Sequence, residues 1–162
     1  MTDSVMRVAR IAVIEALYES ETSDHPAREA FERRLAATVA EDGRMASREG
    51  PAEFGRRAIA GIEDCHAVID AYISNAAPRY PVETLAVVDR NILRLAIWEL
   101  LSENSAVAAV VNEAVEMARR YGGESSPRFV NGVLRTISQR IETGQAPPEL
   151  AESTNNQPSH EE

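Results

Sequence analysis

Lysine is absent from this chain of 162 residues: arginine supplies all 17 basic side chains against 26 acids, a formal charge of −9. That balance excludes a protein that coats itself on any polyanion through net charge alone. Cysteine occurs once, at Cys65, so no internal disulfide can form and no zinc-ligand spacing exists, which points to a reducing compartment, the cytoplasm. Long apolar runs are missing too. The first helix carries Arg7, Arg10 and Glu15 inside its apolar stretch, which excludes a signal peptide and a membrane span there. Phosphate-cradling glycine loops, GxSxG, HExxH and useful Cys–His pairings are likewise absent. His25, His66 and His160 have no second ligand at short helical spacing, and Glu63 and Asp64 read as a solvated helix face. No catalytic residue, metal or cofactor is expected.

What the chain does have is helical periodicity. A first helix is expected over about Ser4 to Ser20, with Ile11, Ile14 and Tyr18 on one face and Arg7 and Arg10 sharing another near its start. Ser23, Asp24 and Pro26 open a second helix that ends before Gly43; residues 43–51 read as a loop, and Pro51 suits the opening of a third. There Ile59, Ile62, Ile69 and Ile73 follow one helical stripe, with Phe54, Cys65 and Tyr72 beside it. Pro78 and Pro81 break the pattern between Asn75 and Pro81.

The stretch from about Ala86 to Leu101 is apolar nearly all round, the mark of a central helix. Arg94 lies inside it and needs a carboxylate partner, for which Glu99 and Glu113 are the candidates. Val107, Val110, Val111, Ala114, Val115 and Ala118 then match the amphipathic template, stopped by Gly122 and Gly123. Ser126 caps and Pro127 starts a last helix with Val130, Val133, Leu134, Ile137 and Ile141 inward and Gly132 permitting close approach of a neighbour.

Charge is unevenly spread. Residues 142–162 hold Glu142, Glu149, Glu152, Glu161 and Glu162 with no base, and are expected to be a disordered acidic tail. Residues 117–141 reverse the sign, with Arg119, Arg120, Arg128, Arg135 and Arg140 against Glu124 alone. A local anion-binding face is therefore compatible with an acidic whole. Arg128 beside Phe129 joins a guanidinium to a ring, a pairing suited to single-stranded RNA; the alternative is that Phe129 is simply core.

VDRNILRLAIWELL, VVNEAVEMARRYG and FVNGVL, preceded by ARIAVIEALY, resemble in order and spacing the transcription antitermination protein NusB family, over about residues 7–141. The resemblance implies an all-α bundle of two packed helical halves, about 4–77 and 82–141. It implies a chain that pairs with NusE, a small-subunit ribosomal protein, and binds boxA RNA within an RNA polymerase antitermination complex that reads through terminators, especially in ribosomal RNA operons. On that resemblance Arg7 and Arg10 carry the N-terminal arginine motif, and Arg128 and Phe129 fall in the later RNA-facing segment, with Arg119 and Arg120 nearby. Tyr18 and Asp89 are the expected partner contacts. Val8 stands where relatives often have another base, so the isolated chain is expected to bind RNA weakly. Two other readings stay open: the NusB-like domain of a ribosomal RNA cytosine methyltransferase, which would need a nucleotide-binding domain that the 21 residues after the last helix do not supply, and a homodimer that buries its RNA surface until a partner displaces one copy.

Overall fold

In a computed structural model the backbone is described for residues 2–41 and 49–145, and side chains for residues 5–38 and 50–145. Seven α-helices run through the described residues: α1 (Thr2–Thr22), α2 (Ala27–Glu41), α3 (Glu49–Asp64), α4 (His66–Ala76), α5 (Val87–Ser102), α6 (Val107–Tyr121) and α7 (Ser126–Glu142), with a single 3₁₀ turn at Val82–Thr84. No strand occurs among them. The expected 43–51 loop and acidic tail fall largely outside the described residues, although α3 already begins at Glu49, so Pro51 sits in its first turn.

The all-round apolarity of α5 places it at the centre, packed against α1, α3, α4, α6 and α7. Asn91 through Glu99 form a continuous buried run along it. Each side chain of the class of Ile92 or Leu95, both fully buried, contributes roughly 1.5–3 kcal/mol on leaving water. Around this axis α1 contributes Val13 and Leu17 to the core, with Ala9 and Ala16 as small residues that let neighbouring helices approach. The core is continuous from α1 to α7.

Two sequence expectations change on folding. The apolar stripe from Ile59 to Ile73 is divided between α3 and α4, because the backbone at Cys65 opens to ψ 17° while keeping its hydrogen bonds to Gly61 and Ile69. The Cys65 side chain is exposed there, not part of the stripe. Gly132, expected to admit a close neighbour, has nothing within 4 Å of where a Cβ would stand. The close approaches occur instead on α3: a Cβ at Gly55 would lie 2.1 Å from the Phe31 ring, and one at Gly61 would lie 2.0 Å from Trp98 Nε1. Absence of a side chain at these two positions lets α2 and α5 reach α3.

Candidate nucleic-acid interface

Arginine pairing divides the surface. At the start of α1, Arg7 donates from Nε and Nη2 to the two Glu113 oxygens on α6, at 3.1 and 2.7 Å. One turn on, Arg10 donates to Glu99 of α5 from Nη2 at 2.8 Å and lies over the Phe54 ring, 5.3 Å from its centroid. Phe54 in turn meets Trp98 edge-on at 5.7 Å. The two arginines expected to carry the N-terminal arginine motif therefore also clamp α1 to α5 and α6. Hydrogen bonding from Arg7 holds Glu113 below the ordinary carboxylate range, whereas burial pushes Glu99 above it, against the pull of Arg10.

Arg94 is paired, but with neither expected carboxylate. Its Nε and Nη2 donate to Asp70 of α4 at 2.9 Å each, and Nη1 reaches Glu21 of α1. Glu99 is five positions further along the helix, about 140° round the axis, and so faces a different neighbour. Burial works against the Arg94 charge, and Asp70 and Glu21 outweigh it, raising its pKa. Arg90 also takes Glu21, at 2.5 Å.

The end of the chain behaves otherwise. Arg79, Arg128, Arg135 and Arg140 have no carboxylate within ion-pair distance among the described residues, and Arg135 donates only to Asn131 Oδ1 at 3.2 Å. Arg119 and Arg120 share Glu116 at 3.1 and 3.9 Å and stay exposed, at 63% and 50%. A groove of about 620 Å³ between α6 and α7 brings Arg119 and Arg128 together with Asn112, Asn131 and Glu116. Arg120 does not line this groove, though it shares Glu116 with Arg119, and its charge also acts on Glu113, the partner of Arg7.

Phe129 is half-buried, its inner side on the core and its outer edge against Tyr80, with ring centroids 5.6 Å apart and planes at 76°. Tyr80 is 55% exposed. Shallow clefts of about 330 and 370 Å³ each include Tyr80, Arg128 and Phe129. Sequence reasoning missed Tyr80 and Arg79; the available signal was an aromatic between Arg79 and Pro81, in a turn whose prolines leave little apolar company to bury it.

Asp89 occupies the first turn of α5, where its Oδ2 accepts the Ser126 hydroxyl at 3.0 Å; Ser126 Oγ accepts the Gly123 N–H at 2.9 Å. The expected cap of α7 is thus a tie to α5, and its Oδ1 neighbour on Asp89 is buried without a hydrogen-bond partner. On the other side of the same turn, Tyr18 (44% exposed) and Tyr121 (47%) flank an apolar groove of about 380 Å³ floored by Ile11, Ile14 and Val88. Tyr18 and Asp89 therefore border the start of α5 from two different clefts. Among the described residues no three His, Cys, Asp or Glu side chains converge as a metal site would require, and no helix is long and apolar enough to cross a membrane.

Comparison with known proteins places this geometry in context. The model of the NusB family matches residues 7–139. The transcription antitermination protein NusB of Chloroflexus aggregans is 40% identical over 134 residues, 81% of this chain and 85% of that protein. NusB of Dehalococcoides mccartyi strain 195 is 40% identical over 136 residues, 83% of this chain and 90% of its own length. Among solved structures, NusB of T. maritima superposes with a TM-score of 0.74 at 36% identity, covering 91% of this chain and 96% of that one. A chain from a complex of the antitermination factors NusB and NusE with double-stranded RNA shares the fold at a TM-score of 0.69 and 24% identity, over 84% of this chain and 97% of that one.

Proposed function

Because this chain belongs to the NusB family, we propose that it acts as its relatives are named, as a transcription antitermination factor. It binds boxA-type single-stranded RNA together with NusE and promotes read-through in ribosomal RNA operons, as part of the RNA polymerase complex in the cytoplasm. It works by binding, without catalysis.

One observation carries the assignment of the RNA face: Arg79 and Arg128, which have no carboxylate partner among the described residues, share a cleft with the ring pair of Tyr80 and Phe129. A paired guanidinium must give up its partner before it takes a phosphate; Arg128 has no such partner among the described residues. Arg128 and Arg119 take backbone phosphates across the α6–α7 groove, and an unpaired base stacks on Phe129 and Tyr80. Arg120 and Arg7 extend the face toward α1. Arg10, 14% exposed and held by Glu99, acts as a positioning residue that fixes the start of α1. Tyr18 and Asp89, either side of the start of α5, receive NusE.

Few free cations mean few counterions released, so the chain alone binds RNA weakly and NusE completes the grip. The test is co-purification with NusE, then binding to boxA and to a scrambled RNA at two salt concentrations. Preference for boxA that survives the higher salt supports the proposal. Equal affinity for both RNAs, or tight boxA binding without NusE, overturns it.

A further inference from the structure

The far end of α7 presents two further arginines, Arg135 and Arg140, beyond the groove described above. Arg140 is about 18 Å along the helix from Arg128, at 1.5 Å per residue. Its Nη1 is buried without a hydrogen-bond partner among the described residues. It lines a cleft of about 450 Å³ with Thr136, Gln139, Glu142, Thr143 and Gln145, the point where the chain continues beyond α7; Glu142 is the one acid there. Arg135, exposed about a turn and a half earlier and about 140° round the axis, has among the described residues only the neutral Asn131.

The seventeen residues after Gln145 contain Glu149, Glu152, Glu161 and Glu162 and no Lys or Arg. Seventeen residues span at most about 56–61 Å, against about 21 Å from Glu142 back to Arg128, so their carboxylates can reach any part of α7. From this complementarity of charge and reach we propose that the acidic C-terminal segment docks in cis along α7 from Arg140 to Arg135 and competes with RNA for the side of the helix that Arg135 shares with Arg128, seven positions and about 20° away. The competition rests on the RNA reading above; the docking does not. Tethering gives the segment an effective concentration of the order of millimolar, so even a weak contact is occupied until an RNA carrying many phosphates, held also by NusE, displaces it. The device lowers indiscriminate RNA binding by the chain alone.

The test compares the full chain with a full-length variant carrying Glu149→Gln, Glu152→Gln, Glu161→Gln and Glu162→Gln. In amide NMR spectra without RNA, the signals around Arg135 and Arg140 should differ between the two proteins at low salt and coincide near half-molar salt, where the Debye length is only a few ångströms. In RNA titrations at low salt the neutralised variant should bind about two-fold or more tighter, the occupancy that a millimolar tether concentration allows a millimolar contact or better. Adding Arg135→Gln and Arg140→Gln should abolish that difference. Tighter RNA binding with unchanged α7 amides would mean simple repulsion of RNA and overturn the proposal, as would amide shifts confined to another helix. Amide shifts at α7 with no RNA binding by either protein would uphold docking, refute the competition and count against the RNA reading itself.

Discussion

Removing Arg10 should unfold this protein more readily than removing any exposed arginine, although it belongs to the segment expected to face RNA. Its guanidinium is 14% exposed and its partner Glu99 only 3%. Arg10→Ala deletes hydrogen bonds of 2.8 and 3.2 Å to Glu99 and the contact with the Phe54 ring, and strands a carboxylate that burial already disfavours. Breaking a buried pair from one side costs about 3–5 kcal/mol. Arg7→Ala, whose pair with Glu113 is more open at 31% and 20% exposed, should cost about 1 kcal/mol after solvent screening. Urea unfolding at neutral pH measures both. The sign of the pH dependence gives a second check. A carboxylate whose folded pKa is raised favours the folded state below its unfolded pKa, and that contribution is lost as pH rises through the folded value. With Arg10 gone, the deficit should therefore be smaller at about pH 5 than at about pH 7. A loss below about 1 kcal/mol, together with a fall in RNA affinity like that of Arg128→Ala, would show that Arg10 reaches outward and refute the reasoning.

The glycines separate packing from propensity. Gly61→Ala should destabilise by about 1–3 kcal/mol, because its Cβ would overlap the Trp98 indole, even though alanine favours a helix. Gly132→Ala meets open space on α7 and should stabilise by about 0.5–1 kcal/mol, read by the same urea titration. On the α1–α2 surface, hydrogen bonds from Arg33 and His25 lower the pKa of Glu19 from 4.5 to about 2. A depressed carboxylate stabilises the fold above its unfolded pKa and loses that contribution as pH falls through the folded value, so Glu19→Gln should flatten the stability curve between about pH 4.5 and pH 2.

Helix positions were legible because apolar spacing reports the side of each helix that is buried. Val107 to Ala118 and Val130 to Ile137 pack as their periodicity says, and the all-round apolarity of α5 correctly marks the centre. Spacing says nothing about which helix lies opposite. Hence Arg94 was matched with carboxylates on its own or the next helix, while the fold brings Asp70 and Glu21 from α4 and α1. Gly132 and the pair Gly55 and Gly61 look alike in sequence; only the position of Phe31 and Trp98 distinguishes a needed glycine from an unneeded one. At the candidate site, Arg128 beside Phe129 was visible as adjacent letters, and their companion Tyr80 was not, being nearly fifty residues away and joined to them only by the packing of α4 against α7. The division of arginines into paired and unpaired sets, on which the site rests, is a property of the folded chain alone.

RNA binding by the NusE complex of Phe129→Ala tests the central claim most directly, measured beside Tyr80→Ala and with the circular dichroism of each variant recorded. Loss of one stacking surface costs about 1–3 kcal/mol, so boxA affinity should fall roughly 5- to 150-fold while NusE association and helix content stay as in the unmodified chain. Undiminished boxA affinity in a folded Phe129→Ala complex would contradict the account.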